Sequence, residues 1–398
     1  MNGMTVVVSP LSWGFGHAGR MIPVALELRK RGCDVIFAAD TSLLEMAGRD
    51  LPGIRLLEIP GLRIRYSRHL PQYICIFLQL PRIIAAGFTE HRVLRRLVRE
   101  LNPSLVISDN RFGFYNRKVY SVYVTHQLRI PFPRFLRFLE TPAAWLHRLI
   151  IDRYDLCLVP DYPGGGNLSG RLSHGVRLPR NIIYMGPVSR FAGPVPGFGG
   201  SSGDPSVCLI LSGPEPQRTL LLEKVSEALR GAETVILSTG PAPHAFAERY
   251  PSATFITAPG KEQMSRIIAA SSLVITRAGY TSVMELFMMG RGAVIIPTPG
   301  QSEQEYIGMY LDGKYGFITL QQDRLEQLTE IVEGIAVFAG HSSGTPGLAA
   351  GSPDPAHSAD ALAGCGISDA ETGPDADSSF AKALFEKAMD CLLEQNKK

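Results

Sequence analysis

Short apolar segments that are typical of strands alternate with helical segments along this chain, and the alternation occurs twice. Helical stretches such as residues 90–101 and 219–231 separate the candidate strands. Strands that alternate with helices form parallel sheets with helices on both faces. The sequence therefore predicts an α/β protein with two doubly wound, Rossmann-like domains. The candidate strands lie at residues 4–9, 34–39, 104–109, 122–127, 155–160 and 181–186 in the first series, and at 206–213, 234–240, 253–259, 272–279 and 293–299 in the second.

Three stretches of distinct composition divide the chain. Residues 187–205 are rich in Gly, Pro and Ser and lack periodicity, as interdomain connections do. Residues 339–378 are dominated by Gly, Ala, Ser, Pro and Asp, which predicts a mobile insertion. Apolar residues at helical spacing then return. We expect an N-terminal domain at 1–188, a linker at 189–205, a second domain at 206–336, the insertion at 339–378 and a C-terminal helix at 379–398.

Composition excludes several classes of protein. The chain has 398 residues, of which 45% are hydrophobic and 19% charged, so a disordered chain is excluded. It contains no run of roughly 18 to 20 apolar residues and begins without a signal-peptide pattern, which predicts a cytoplasmic protein. Its six cysteines form no CxxC pair, so no disulfide framework or structural metal is expected. The one Asp-x-Asp motif, at residues 375–377, falls in the expected insertion, so no metal-bridged phosphate site is expected either.

A glycine-rich loop follows the first strand. Gly14, Gly16 and His17 belong to a GxGxxG pattern between a strand and a helix, where backbone N–H groups can hold an anion. A dinucleotide site would need an acidic residue about 20 positions later, which Asp34 or Asp40 could supply, but it would leave the second half unexplained. A tight turn also accounts for the glycines, and His17 could merely cap it.

A second loop of small residues follows the candidate strand at 272–279. Its small residues and free N–H groups suit a nucleotide phosphate, while the carboxylate of Glu285 suits ribose hydroxyls. Alternatively, Glu285 forms a capping box with Thr281 or Ser282. Further on, Gln304 and Glu305 follow a Pro/Gly loop and suit hydrogen bonding to neutral sugars. The loop and the start of its helix comprise Arg277, Ala278, Gly279, Thr281, Ser282 and Glu285.

Two motifs, at opposite ends of the chain, together resemble those of the MurG-type glycosyltransferases of family 28, which have the GT-B fold. TRAGYTSVMELFMMGRGAVIIPTPGQSEQEY resembles their donor half, and GFGHAGR resembles their amino-terminal glycine loop. The resemblance implies two domains that face each other across a cleft and a nucleotide-sugar as donor substrate, with no other cofactor. It implies nucleotide contacts at Arg277, Ala278 and Gly279, ribose at Glu285, and sugar hydroxyls at Gln304 and Glu305. It places Gly14, Gly16 and His17 at the cleft, and likens His126 and Gln127 to a family loop.

One segment departs from the family pattern. After the first strand of the second half, relatives often carry a Gly- and Ser-rich phosphate loop, whereas this chain has Ser212 and Gly213 followed by two prolines that remove N–H donors. Arg218 could replace those donors, but Glu215 would oppose it.

A catalytic base is needed to take the proton of an acceptor hydroxyl. His17 is one candidate. Asp109 is the other, because it ends a candidate parallel strand at the edge where such sheets bind ligands, although a turn or cap would also explain it.

Basic residues are concentrated in the first half. Residues 61–153 contain 16 Lys and Arg against 5 Asp and Glu, interleaved with apolar clusters at 73–88 and 129–150. This pattern predicts a surface for anionic lipid headgroups. The alternative is a set of helices that bury their apolar faces while arginines point to solvent. No nucleic-acid-binding module accompanies the charge, so no nucleic-acid partner is expected.

The leading hypothesis is an inverting, metal-independent transferase that moves a sugar from a UDP-sugar or similar donor to a saccharide or lipid-linked acceptor. We expect it to act at the inner face of the membrane, in cell-envelope or glycolipid synthesis. Two alternatives stay open. One is an epimerase or hydrolase of sugar nucleotides on the same fold, and the other is a non-catalytic subunit that binds sugar nucleotides.

Overall fold

The structure is a computed structural model that describes residues 3–68, 70–175, 181–191, 207–243, 246, 250, 252–339 and 376–395. It divides into two compact units. Unit 1 comprises Met1–Ile64, Phe77–Arg190 and Ser352–Lys398, and unit 2 comprises Arg65–Ile76 and Phe191–Gly351. Most of the expected linker and of the expected insertion lies outside the described residues.

Unit 1 is built on a seven-stranded sheet in the order β3-β2-β1-β4-β5-β6-β7, with every pair parallel. The central strand in this order is buried along its whole length. The strands are β1 (Thr5–Pro10), β2 (Asp34–Ala39), β3 (Arg55–Glu58), β4 (Leu105–Asp109), β5 (Tyr120–Val124), β6 (Leu156–Val159) and β7 (Ile182–Tyr184). The first helices along the chain are α1 (Phe15–Lys30), α2 (Thr41–Asp50), α3 (Gln72–Leu78), α4 (Leu80–Leu101) and α5 (Glu140–Ile151), with 3-10 turns at Arg134–Leu139 and Gly170–Leu172.

Unit 2 repeats the same plan with six parallel strands in the order β10-β9-β8-β11-β12-β13. The strands are β8 (Val207–Leu211), β9 (Thr234–Ser238), β10 (Ala253–Thr257), β11 (Leu273–Thr276), β12 (Ala293–Ile295) and β13 (Phe317–Thr319). The helices are α6 (Gln217–Val225), α7 (Lys261–Ala270), α8 (Tyr280–Met288), α9 (Ser302–Leu311) and α10 (Glu326–Ala339). A last helix, α11 (Ala376–Gln395), belongs to unit 1.

Each sheet reverses its strand order between its first strand and its fourth. Ligands of open α/β sheets bind at this switch point, outside the carboxyl ends of the strands. In unit 1 the loop containing Gly14 follows β1, and Asp109 ends β4. In unit 2 Ser212 follows β8, and Arg277 follows β11. The fold class predicted from the sequence is confirmed, and these motif residues lie at the two switch points.

The helix α4 differs from its prediction. It begins at Leu80, ten residues before the expected start, and its first half exposes apolar side chains such as Ile84 and Phe88. That half lacks the one-sided apolar stripe by which a core-facing helix is recognised. No single helix among the described residues is long and apolar enough to cross a membrane; the consecutive pair α3 and α4 passes that test by length and composition, but it is sharply bent.

Candidate active site

The glycine loop of unit 1 positions His17. Gly14 precedes α1 in an extended conformation, and a Cβ atom there would meet nothing within 4 Å. His17 is the third residue of α1, and Arg20 lies one turn later on the same face of that helix. The loop therefore starts a helix whose first turn presents a histidine and an arginine together.

Four polar side chains meet at the carboxyl edge of this sheet. Asp109 ends β4, which pairs with β1 so that Asp109 lies beside Pro10. Its Oδ2 lies 3.0 Å from His17 Nδ1 and accepts a 3.0 Å hydrogen bond from Arg20 Nε, while its Oδ1 accepts from Arg20 Nη2 at 2.5 Å. The fourth member is His126, whose Nδ1 lies 2.9 Å from Arg20 Nη1. The structure thus joins three predicted residues through one that was not predicted.

The loop after β5 carries His126 and Gln127. Thr125 Oγ1 accepts a hydrogen bond from the Gln127 backbone N–H at 3.0 Å, which makes a short turn at the end of the strand. His126 is buried in this turn and contacts Arg20, whereas Gln127 is half-buried beside it. Of the two, only His126 reaches the cluster around Asp109.

Asp109 is held as a carboxylate. Burial would raise the pKa of its fully buried carboxyl, but the charges and hydrogen bonds of Arg20 and His17 outweigh burial, so its pKa is lowered. His17 Nδ1 lies between two partners, since Arg20 Nη2 is 2.8 Å away and Asp109 Oδ2 is 3.0 Å away. In the tautomer in which Nδ1 donates to Asp109, Nε2 has a lone pair, and because 20% of the His17 side chain is exposed, that lone pair suits a general base for a substrate hydroxyl.

The sequence analysis missed Arg20. A signal was present: Arg20 follows His17 by three residues and precedes Met21 and Ile22, both fully buried. An arginine at the start of a buried helical run needs a buried anion to pair with. That anion is Asp109.

In unit 2, the guanidinium of Arg277 hydrogen-bonds to backbone groups of the protein. Its guanidinium donates to the backbone oxygens of Ile296 and Pro297, each at 3.3 Å, and of Gln217 at 3.0 Å. Burial lowers the pKa of Arg277 to about 10. Arg277 therefore joins the end of β11 to the start of α6 and to the loop after β12, and its predicted contact with a nucleotide stays a prediction.

The start of α8 is open. Gly279 is its N-cap residue, makes no side-chain cap, and would have nothing within 4 Å of an added Cβ. Ala278 is fully buried, and Thr281 and Ser282 are half-buried in the first turn. The alternative of a capping box is wrong, because Glu285 is the sixth residue of the helix and no side chain caps Gly279. Glu285 is itself 7% exposed.

Two side chains of α9 shape the loop after β12. Gln304 Oε1 accepts a hydrogen bond from the Thr298 backbone N–H at 2.9 Å, and Glu305 Oε1 accepts from Gly300 N–H at 2.7 Å. Gly300 has a φ of 74°, in the left-handed region that favours glycine. Both predicted sugar-binding residues thus fix the backbone of the loop that precedes them.

The loop after β8 carries the residues that depart from the family pattern. Gly213 has a φ of 100°, and a Cβ there would meet nothing within 4 Å, so its backbone is open. Arg218 forms an ion pair with Glu215 and lies over Gly240, where an added Cβ would clash with its guanidinium. The opposition between Glu215 and Arg218 that the sequence predicts is therefore present as a direct contact.

Comparisons with known proteins agree on one enzyme class. Residues 198–339 match the model of the glycosyltransferase family 28 C-terminal domain. A UDP-N-acetylglucosamine--N-acetylmuramyl-(pentapeptide) pyrophosphoryl-undecaprenol N-acetylglucosamine transferase of Methylobacterium nodulans is 26% identical over 313 residues, which is 73% of this chain and 77% of that protein. The enzyme of the same name from Methylobacterium sp. strain 4-46 is 26% identical over 318 residues, which is again 73% of this chain and 77% of that protein.

Solved structures agree on the fold. The calicheamicin glycosyltransferase CalG4 superposes with a TM-score of 0.56 at 14% identity, over 86% of this chain and 91% of its own. The glycosyltransferase of kitacinnamycin gives 0.54 at 16% identity, over 84% and 94%. The chain is therefore a glycosyltransferase of the GT-B fold that resembles the family 28 group.

Proposed function

We propose that this glycosyltransferase moves a sugar from a nucleotide-diphosphate sugar to an acceptor hydroxyl, with inversion and without a metal ion. The observation that carries the proposal is the contact between His17 and Asp109 at the switch point of unit 1, 3.0 Å between Nδ1 and Oδ2. A partly exposed histidine in contact with a buried carboxylate can act as a general base, and an acceptor hydroxyl needs such a base.

The proton and electron pairs move as follows. His17 Nε2 takes the hydroxyl proton of the acceptor, and the oxygen forms a bond to the anomeric carbon of the donor. The bond between that carbon and the diphosphate oxygen breaks, and the nucleotide leaves with the electron pair. Asp109 stabilises the imidazolium that results, and a single displacement inverts the anomeric centre.

The donor would be bound by residues of unit 2. Both curated relatives are named for UDP-N-acetylglucosamine, which supports a UDP-sugar as donor. The open backbone at Gly279 and the start of α8 suit the diphosphate, with Thr281 and Ser282 in the first turn. Glu285 would accept ribose hydroxyls, and Gln304 would present its amide to the sugar. Helix N-termini would stabilise the leaving diphosphate in place of a metal, and no group of three metal-ligating side chains occurs among the described residues.

The acceptor is proposed to be lipid-linked, because both relatives are named for a pyrophosphoryl-undecaprenol acceptor.

The surface of unit 1 supports a membrane location. Apolar side chains on α4, α5 and the segments before them are mostly solvent-exposed, which a monomeric soluble protein rarely tolerates over a large patch. The most exposed are Phe77 at 72%, Phe138 at 71%, Leu78 at 67%, Phe135 at 66%, Phe88 at 65% and Trp145 at 63%.

These apolar side chains lie on neighbouring elements. Gly113 approaches the Gly87 backbone of α4 so closely that a Cβ would clash with it, and the adjacent Phe112 packs on His147 of α5 with ring centroids 5.9 Å apart. Exposed arginines accompany them, namely Arg82, Arg134 and Arg137. The alternative in which these helices bury their apolar faces holds for Leu94 and Leu97 in the second half of α4 and for Ile151 at the end of α5. Apolar and basic groups together suit the cytoplasmic face of an anionic bilayer.

The membrane proposal is tested by sedimentation with vesicles of phosphatidylglycerol or of phosphatidylcholine. We expect binding to the anionic vesicles, weakened by salt, and a loss of about a hundredfold or more in Phe88→Ser/Phe138→Ser, because each change removes roughly 1.5–3 kcal/mol of apolar burial in the lipid. Met309→Ser is the matched control, since Met309 is 68% exposed in unit 2. Equal binding by the double variant and wild type would overturn the proposal.

The transfer proposal is tested by calorimetry and nucleotide release with UDP-, GDP- and dTDP-sugars, with and without polyprenyl-diphosphate saccharides. We expect UDP-sugar binding that Glu285→Gln weakens by about 1–3 kcal/mol. His17→Gln should leave binding intact and lower acceptor-dependent release by about 100- to 10,000-fold. His91→Gln on α4 is the control, and it should change neither donor binding nor acceptor-dependent release.

Three other outcomes identify the competing functions. Nucleotide release at the full rate without any acceptor would indicate a hydrolase. Conversion of the donor sugar nucleotide into an isomer would indicate an epimerase. Donor binding without turnover in both the wild type and His17→Gln would indicate a non-catalytic subunit.

A further inference from the structure

A segment from the first half of the chain is part of unit 2. Residues 65–76 follow β3 and include most of α3, and the residues on both sides of them belong to unit 1. We call residues 65–76 the strap. The strap brings side chains of the first half of the chain into the unit that is proposed to bind the donor.

The strap has two anchors at the carboxyl edge of the sheet of unit 2. The backbone oxygen of Ser67 accepts a 3.2 Å hydrogen bond from Nε2 of Gln217, the first residue of α6. Pro71 lies against Gly300 in the loop after β12, where an added Cβ would be 3.0 Å from the Cβ of Pro71. Because β11 lies between β8 and β12, the chain between the two anchors passes the end of β11. Four residue steps span up to roughly 13 Å, which is enough for the separation of about 10 Å between β8 and β12.

The arginines that follow β8 and β11 are already engaged by the protein. Arg277 donates to three backbone oxygens, and Arg218 forms an ion pair with Glu215. The loop after β12 contains no Lys or Arg from residue 296 to residue 305. A helix N-terminus supplies only about half a positive charge, whereas a nucleotide diphosphate carries several negative charges and gains more as it leaves. The donor site therefore needs a cation from elsewhere in unit 2.

We propose that Arg68 of the strap binds the diphosphate of the donor. This inference deepens the proposed function and rests on its assignment of the donor to unit 2. Arg68 is exposed and lies in a bend between the two anchors. Within that bend, Ser67 Oγ accepts a hydrogen bond from the backbone N–H of Leu70 at 3.3 Å. A guanidinium binds two phosphate oxygens at once, so Arg68 would replace the N–H donors that the prolines remove from the loop after β8.

The first anchor is connected to the loop proposed to bind the diphosphate. Gln217 holds Ser67 with its side chain, and its backbone oxygen accepts a 3.0 Å hydrogen bond from Arg277 Nη2. Arg277 precedes Gly279 by two residues, and the space around Gly279 is open. Arg68 follows Ser67 directly, so the strap holds an exposed arginine next to the loops that meet at the switch point of unit 2.

The test is calorimetric binding of UDP, uridine and inorganic diphosphate to the full chain. In Arg68→Gln we expect UDP and inorganic diphosphate to bind about 10- to 100-fold more weakly, because a charge-assisted contact is lost, and uridine to bind as in the wild type. Arg68→Lys keeps the charge without the planar fork, so its loss should be intermediate. Arg230→Gln is the matched control and should bind all three as the wild type does, since Arg230 is an exposed arginine of unit 2 that precedes β9, at the opposite edge of the sheet.

The three probes separate this inference from the proposed function. Equal UDP affinity in Arg68→Gln and the wild type would overturn the inference and leave the proposed function standing. An equal loss of uridine affinity would also overturn it, because the strap would then shape the nucleoside site and not bind the diphosphate. Binding of inorganic diphosphate through Arg68 without binding of any nucleotide would refute the proposed donor and leave Arg68 as an anion ligand.

A second variant tests whether the first anchor positions Arg68. Gln217→Met removes the side-chain donor to Ser67 but keeps the backbone oxygen to which Arg277 donates. We expect weaker UDP binding in Gln217→Met and no further loss when it is combined with Arg68→Gln, because both changes remove the same contact with the diphosphate. Additive losses in the double variant would contradict this placement of Arg68.

Discussion

At the scale of the residue, the sequence located the switch points but did not distinguish residues that touch ligand from residues that hold loops. Arg277, Gln304 and Glu305 were selected because arginine, amide and carboxylate groups suit nucleotides and sugars. In the structure each of them hydrogen-bonds to loop backbone. A motif specifies a side chain and its place in the chain, but not the partner to which tertiary packing turns it.

Arg277 provides a prediction at this scale. Arg277→Met would leave two buried and one partly buried backbone oxygens without this donor, so we expect a loss of about 3 kcal/mol or more in the free energy of unfolding, measured by urea denaturation. The control is Arg324→Met, which changes an exposed arginine of the same unit and should stay within about 0.5 kcal/mol of the wild type. If both variants are equally stable, Arg277 does not join these loops, and its predicted role as a nucleotide ligand gains support.

The cluster around Asp109 was predicted in part. His17, His126 and Asp109 could be selected from the sequence, because each follows a candidate strand or opens a helix at the same edge of one sheet. Arg20 could not be selected by a search for exposed functional groups, since its position within an apolar helix looks like part of the core. Its role depends on Asp109, 89 residues later in the chain.

At the scale of the element, the interior strands were recognisable from their apolar composition, whereas only two of the four edge strands were. β1 and β4 are continuous runs of buried residues, and both were predicted. β3 (Arg55–Glu58) and β13 (Phe317–Thr319) lie at sheet edges with exposed positions and were not predicted, whereas the other two edge strands, β7 and β10, were. An edge strand pairs with only one neighbour, so its composition is a weaker signal than that of an interior strand.

The same reasoning applies to α4. Its second half buries Leu94 and Leu97 and was predicted as a helix, whereas its first half exposes Phe88 and Ile84 and was noted only as an apolar cluster. Helix periodicity reports a boundary between core and solvent. Where the apolar side chains of a helix face solvent, the pattern does not mark a core-facing side. The segment is then recognised as hydrophobic but not as a helix.

At the scale of the whole molecule, unit 1 is assembled from three separate stretches of chain. Its last stretch contributes α11, which buries Ala381, Ala388, Met389, Leu392 and Leu393. An ion pair between Arg31 and Asp390 adds a polar contact to the end of α1. The structure describes a helix at Ala376–Gln395 in the region where one was predicted at 379–398, and its neighbour in unit 1 is β7.

This assembly predicts a local effect of substitutions in α11. Leu392 is fully buried, so Leu392→Ala should lower the stability of unit 1 by about 2–5 kcal/mol through the cavity that it leaves. Hydrogen exchange should show earlier opening of β1 and β4, with β8 and β11 unaffected. Lys382→Ala, a change of an exposed residue on the same helix, is the control. Equal loss of protection in both sheets would mean that the two units unfold as one.

The return of α11 to unit 1 also determines the order in which the protein can be made. Every described strand of unit 2 has been synthesised once residue 319 is complete, so its sheet can form while the chain is still growing. The described strands of unit 1 are complete by residue 184, but the surface that α11 covers stays exposed for about two hundred residues of further synthesis. At roughly 5–20 residues per second that interval lasts tens of seconds or less. During it the apolar surface that α11 later covers is exposed, which makes the nascent chain prone to aggregation.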